Sequence, residues 1–183
     1  PGSVGRATPP YEAVVLDHEG TVLGPNVEGR LYFRDRTGRG IVYHGDPERT
    51  AAAHVSPGVF TLGEIGRIDD DGWVYVTDRF ADMVVTGGVN VYPAEMEGVL
   101  ASHPGVADVA GVGLGHEDLG EQLVALVVPV DGARPPAPDE LQLWCEARLS
   151  RFKCPRQVRL VEDLGRNALG KLDKRALRES QAP

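Results

Sequence analysis

The chain has 183 residues, 42% of them hydrophobic, enough apolar material for one ordinary domain or two small ones, which excludes a disordered polypeptide. Its formal net charge of -8 excludes a broad electrostatic footprint for nucleic acid or an anionic membrane, so any bound polyanion must be held by a few placed groups. Only two cysteines occur, Cys145 and Cys154, with no metal-ligand spacing, and no apolar run approaches a membrane span; a cytoplasmic protein is expected, with no protein metal site.

In chain order, "PGSVGRATPP" lacks the basic and apolar regions of a signal peptide. It also begins with proline, which suggests a fragment of something longer. Residues 11 to 43 alternate short β-rich runs ("EAVVLD", "GRLYFRD") with glycine turns, the pattern of a meander or small barrel. "DPERTAAAH" follows as a short helix with Asp46 as N-cap and Pro47 in its first position. In "EIGRIDDDGWVYVTDR" the "DDDG" turn separates two strands of a hairpin.

After Arg79 the grammar changes. "MVVTGGVNVYP" gives two short strands around Gly87 and Gly88, and Pro93 starts a helix with Met96, Val99 and Leu100 as its apolar stripe. "VADVAGVGL" and "GEQLVALVVPV" read as strands. "PDELQLWCEARLSRF" reads as a helix burying Leu141, Trp144, Cys145 and Leu149, "QVRLVE" as a strand and "LDKRALRES" as a last helix. The fold class is therefore α+β, with a boundary near residues 78 to 82. Residues 1–79 form a β-rich part and 80–183 a small domain in which a hairpin and a mixed sheet pack with helices.

Each stretch that could carry chemistry has an ordinary explanation when taken singly. "DDDG" clusters carboxylates without the alternation and distal Glu of a calcium loop, so a hairpin turn is favoured. "TGG" is a tight turn, "TDRFAD" a surface salt bridge, Glu64 a strand-end carboxylate, and Lys171 a solvated basic residue.

Their order and spacing point further. Residues 61–113, "TLGEIGRIDDDGWVYVTDRFADMVVTGGVNVYPAEMEGVLASHPGVADVAGVG", closely resemble the late core motifs of the acyl-CoA synthetases and other adenylate-forming enzymes. "RNALGKLDKRAL" resembles their terminal lysine motif, and "PGSVGR" the segment that follows their threonine-glutamate nucleotide motif. The resemblance covers essentially the whole chain. It implies the β-rich end of a large N-terminal domain, truncated here, followed by the small mobile C-terminal lid domain.

The resemblance also implies an activity and roles. Such enzymes join a carboxylate to ATP with release of pyrophosphate, then pass the acyl group to coenzyme A; magnesium accompanies the ATP, with its ligands expected upstream of this segment. Glu64 falls where the family usually has the aspartate that holds the ribose hydroxyls, and Arg79 matches its ribose-binding arginine. Ala81 occupies the hinge position, usually aspartate or lysine, with Asp82 beside it. Gly87 and Gly88 resemble the loop lining the pantetheine tunnel. Lys171 matches the catalytic lysine, whose cation offsets charge as carboxylate meets α-phosphate, on a loop that inserts for adenylation and withdraws for thioester formation. Lys153 and Arg156 could hold coenzyme A phosphates or be ordinary surface charges. Gly165 and Ala168 depart from the family's common proline and threonine without touching this chemistry.

The expected small-molecule partners are a fatty or aromatic carboxylic acid, ATP and coenzyme A, with no nucleic acid. The nearest rival is an adenylation enzyme that loads a carrier protein, and a rival from another class is a binding module without catalysis. The 183-residue piece alone is expected not to adenylate, since the phosphate-binding glycine loop and acyl pocket are expected upstream.

Overall fold

The computed structural model describes residues 2–181 and divides into two compact units, Pro1–Ala81 and Asp82–Pro183. Among the described residues no helix is long and apolar enough to cross a membrane.

The first unit is built on one antiparallel sheet. Strands β1 (Tyr11–Leu16) and β2 (Gly29–Asp35) pair along their whole length, from Tyr11 opposite Asp35 to Leu16 opposite Arg30. Helix α1 (Pro47–Ala53) begins as its sequence dictates: the Asp46 carboxylate accepts from the Arg49 N–H at 2.9 Å, satisfying one of the orphan donors of the first turn. Strands β3 (His54–Ser56) and β4 (Val59–Phe60) then form a short hairpin, and β4 lies along the second edge of β2. β5 (Glu64–Ile68) shares that edge and pairs with β6 (Val74–Arg79). Val15, Leu31 and Val74 form the core, with Ile65 fully buried. The "DDDG" segment is a turn in which the Asp69 carboxylate accepts from the Asp71 and Trp73 N–H groups. The β3–β4 hairpin is the element that sequence pattern does not disclose. His54 belongs to β3, not to the helix, because the chain turns extended there at φ -100° and ψ 133°.

The second unit is a mixed five-stranded sheet between two helical layers. It opens with the hairpin β7 (Val84–Thr86) and β8 (Val89–Val91), followed by α2 (Pro93–Ala101). β9 (Val106–His116) and β10 (Gly120–Pro129) pair antiparallel from Gly120 opposite His116 to Val128 opposite Asp108. α3 (Pro138–Glu146) returns the chain to β11 (Gln157–Leu160), parallel to β10, and α4 (Lys174–Gln181) ends the fold.

Because side chains alternate across a strand, β9 and β10 feed two cores. Val109, Leu123, Ala125 and Val127 face α2 and α3 with Met96, Leu100, Leu141 and Cys145. Ala110, Val112, Leu114, Val124 and Leu126 form the other core, joined by Leu164, Leu172 and Leu177 from the final segment and α4. Gly111 permits the close approach of α2, since a Cβ there would stand 2.7 Å from both Met96 Cε and Pro93 Cβ. The sequence pattern overextends α3: the helix stops at Glu146, Ser150 is extended, and residues 151–153 form a separate 3-10 turn. Trp144 is only half-buried, keeping its indole N–H within reach of the Val99 carbonyl at 3.1 Å.

Candidate functional site

Three places collect the residues that sequence singles out. The first is the β5–β6 hairpin, whose register sets Glu64 directly opposite Arg79. Cross-strand partners in an antiparallel pair project from the same face with Cβ atoms roughly 4.5–5.5 Å apart, so one ligand can meet both side chains. Neither side chain has an ion-pair or hydrogen-bond partner among the described residues. Glu64 lies at a groove of about 460 Å³ whose walls are mainly apolar, including Leu31, Phe33, Leu62, Val74 and Val76. An acceptor-only carboxylate and a planar five-donor fork are thus presented side by side. The division between the two units falls at Ala81 and Asp82, within a 3-10 turn over Phe80–Asp82.

The second place is the β7–β8 turn. Gly87 and Gly88 have φ of 57° and 80°, a pair of left-handed residues that closes a two-residue hairpin and disfavours any side chain. Gly87 donates its N–H to the Leu119 carbonyl at 3.0 Å. Beside it is a cavity of about 220 Å³ lined by Thr86, Gly87, Leu119, Arg151, Phe152 and Arg156, with Leu123 and Cys154 completing the wall. The structure therefore brings Gly87 and Arg156 together and adds Arg151, which sequence reasoning passes over although it sits in the same "SRFKCPRQ" stretch. Neither arginine side chain has an acidic partner among the described residues. Lys153 is separated from them: its ammonium is held by both oxygens of Glu95, at 2.5 and 2.7 Å, and it does not line the cavity. Burial raises the Cys154 thiol above its ordinary range, so it contributes wall rather than a nucleophile.

The third place is the loop before α4. Lys171 is exposed, and its ammonium has no ion-pair partner among the described residues, whereas the neighbouring Lys174 is paired with Glu97 at 2.7 Å. The loop is not a loose tail. Asn167 Oδ1 accepts from the N–H groups of Leu169 and Lys171, both at 3.0 Å, and the Asn167 N–H donates to the Lys171 carbonyl at 3.0 Å. Arg166 donates to both oxygens of Asp108 on β9, at 2.6 and 2.7 Å, and to the Gly170 carbonyl at 2.8 Å. The guanidinium holds the Asp108 carboxyl below its usual range. Leu172 then packs into the second core, and Asp173 caps α4 through the Ala176 N–H at 3.1 Å. Asp108 and Arg166 are 58 positions apart, so nothing local in the sequence discloses them. The described residues contain no group of three or more His, Cys, Asp or Glu side chains able to hold a metal ion.

Residues 95–171 match the AMP-binding enzyme C-terminal domain. The chain is 41% identical over 178 residues to 3-[(3aS,4S,7aS)-7a-methyl-1,5-dioxo-octahydro-1H-inden-4-yl]propanoyl:CoA ligase of Rhodococcus jostii (strain RHA1), covering 97% of this chain and 32% of that protein. It is 36% identical over 177 residues to the fatty acid–[acyl-carrier-protein] ligase ScoC of Streptomyces coeruleorubidus, covering 97% of this chain and 34% of that protein. Its fold matches ATP-bound MatB from Rhodopseudomonas palustris with a TM-score of 0.87 at 36% identity, over 98% of this chain and 36% of that one. The chain thus spans about a third of the length of these relatives. Residues 95–171 thus match the C-terminal domain of AMP-binding enzymes, within a chain that is similar along nearly its whole length to acyl-activating ligases.

Proposed function

We propose that this chain is the C-terminal part of an AMP-forming acid–thiol ligase that activates a fatty or aromatic carboxylic acid with ATP and transfers the acyl group to coenzyme A. In the first step a carboxylate oxygen attacks the α-phosphorus, the bond to the β-phosphate oxygen breaks, and pyrophosphate leaves. In the second, the coenzyme A thiol loses its proton and its sulfur attacks the acyl carbonyl, expelling AMP. Magnesium would accompany the ATP and offset charge on its phosphates.

The observation that carries the proposal is the presentation of Lys171: an exposed ammonium without an acidic partner, on a turn whose backbone is fixed, at the end of the segment that matches the family domain. Adenylation brings two anions together, and one preorganised cation aimed at the phosphoryl oxygens is worth roughly 10²- to 10³-fold in rate. Glu64 and Arg79 are assigned to the ribose hydroxyls, supported by their cross-strand pairing. Ala81 and Asp82 are assigned to the hinge, and Gly87 and Gly88 to the path of the pantetheine thiol.

Arg156, with Arg151, is assigned to the phosphates of coenzyme A, because both border the cavity beside Gly87. Lys153 is better explained by its pair with Glu95. A carrier protein is the second reading for the acceptor, favoured by the likeness to ScoC. The two-arginine cavity favours coenzyme A, whose adenosine bisphosphate the prosthetic arm of a carrier lacks. A cytoplasmic location belongs to the same proposal, supported by two free, buried thiols.

Because the chain spans a third of its relatives, the activity is proposed for the parent protein. The 183-residue chain alone is expected to show no carboxylate-dependent pyrophosphate exchange. In the parent, Lys171→Ala should abolish most adenylation while leaving thioester formation from supplied acyl-adenylate nearly intact. Equal losses in the two half-reactions would overturn the assignment of Lys171.

A further inference from the structure

We propose that Asp108 is a positioning residue for adenylation: through its doubly hydrogen-bonded pair with Arg166 it fixes the turn that presents Lys171 to the α-phosphate. This rests on the role proposed above for Lys171.

The geometry is a relay of three contacts. Asp108 stands on β9, the strand whose buried residues line both cores of the unit. Its two oxygens receive Arg166 Nε and Nη2 at 2.6 and 2.7 Å, a planar fork that fixes direction as well as distance. The remaining Nη1 donates to the carbonyl of Gly170, the residue immediately before Lys171, at 2.8 Å. Asn167 closes the same turn by accepting from Lys171 N–H and donating to its carbonyl. Downstream, Leu172 is packed in a core and Lys174 is paired with Glu97. Lys171 therefore projects from backbone anchored on both sides, with Asp108 as the upstream anchor on the sheet.

Magnitudes separate positioning from mere stabilisation. The side chains of Arg166 and Asp108 are 40% and 33% exposed, and exposed ion pairs contribute little to stability. Displacing a reacting group by about 1 Å costs on the order of 10²-fold in rate. Loss of the pair should therefore barely move the unfolding temperature, by less than about 4 °C, while lowering the rate of one half-reaction substantially.

The test uses the full-length parent carrying Asp108→Ala, Arg166→Ala, the conservative Asp108→Glu, and Lys171→Ala for reference. Both half-reactions are measured, with kcat and the KM for ATP resolved. Asp108→Ala and Arg166→Ala should each lower adenylation kcat roughly 10- to 100-fold, leave thioester formation from supplied acyl-adenylate within about twofold, and change KM little. Asp108→Glu, which keeps a carboxylate for Arg166 and leaves the Arg166 contact to the Gly170 carbonyl available, should recover most of the loss. The proposal is overturned if Lys171→Ala cripples adenylation but Asp108→Ala leaves its kcat unchanged. It is also overturned if Asp108→Ala depresses both half-reactions equally, the mark of a structural role. Intact adenylation in Lys171→Ala would instead remove the underlying role of Lys171, and with it this relay.

Discussion

Replacing Gly88 separates turn chemistry from thiol access, because the two rank substitutions in opposite orders. Gly88 has φ 80°, and a Cβ built there meets nothing within 4 Å, so Gly88→Ala adds no clash and costs only the left-handed backbone. That cost is roughly 1–2 kcal/mol, about 4–16 °C in unfolding temperature for a domain of some hundred residues. Asparagine tolerates the left-handed region better, so Gly88→Asn should be the more stable variant. If Gly88 borders the path of the pantetheine thiol, the bulkier Gly88→Asn should nevertheless be the slower one. The assay is thioester formation from supplied acyl-adenylate beside pyrophosphate exchange, with unfolding temperatures for both variants. The expected result is adenylation near wild type in both, with thioester formation falling from glycine to alanine to asparagine. Thioester rates that instead follow stability, alanine below asparagine, would refute the tunnel assignment and leave Gly88 as a turn residue.

Three further outcomes follow from packing and ionisation. Gly66→Ala would place a Cβ 2.1 Å from the Tyr75 carbonyl oxygen and 2.6 Å from Leu31 Cδ1, so β5 and β6 must part; a loss of about 3 kcal/mol is expected in denaturant unfolding, and a loss below about 1 kcal/mol would show that the hairpin is looser than described. Burial pushes the Cys145 thiol up to about 12 and raises Cys154 as well, so a thiol reagent at pH 8 should label both only on unfolding; prompt labelling of the native protein would contradict their burial. Arg166 holds the folded-state pKa of Asp108 below its unfolded value, so the stabilisation is present above the ordinary carboxylate range and is lost as pH falls through the lowered folded value. The difference in unfolding temperature between wild type and Asp108→Asn should therefore be constant above about pH 5 and shrink below about pH 4; a difference that grows on acidification would reverse the sign.

Much of the fold is legible in the sequence because local signals agree with tertiary demand. Pro47 behind Asp46 starts α1, Gly87–Gly88 closes β7 and β8, and the period of Met96 and Leu100 sets the buried face of α2. The β3–β4 hairpin escapes because a two-residue strand carries no period, and its pairing with β2 supplies the order. The end of α3 escapes because "EARLSRF" keeps helical composition while Cys154 and Pro155 are drawn into the core beside β11. The site divides along the same line. Lys171, Glu64 and Arg79 are singled out by their place in motifs that resemble a family's, whereas the opposition of Glu64 to Arg79 depends on a register broken by a bulge between Ile65 and Gly66. Arg151 is distinguished from Lys153 only by which side chain finds a carboxylate, and the Asp108–Arg166 pair only by the fold.

The central claim is that the parent protein joins a carboxylic acid to a thiol at the expense of ATP cleaved to AMP. It is tested most directly by mass spectrometry of the products after the full-length parent is incubated with ATP, magnesium, coenzyme A and a panel of fatty and aromatic acids. The predicted result is an acyl-CoA accompanied by AMP and pyrophosphate. Acyl-adenylate accumulating without thioester would move the acceptor to a carrier protein, and ADP in place of AMP, or no nucleotide turnover with any acid, would contradict the account.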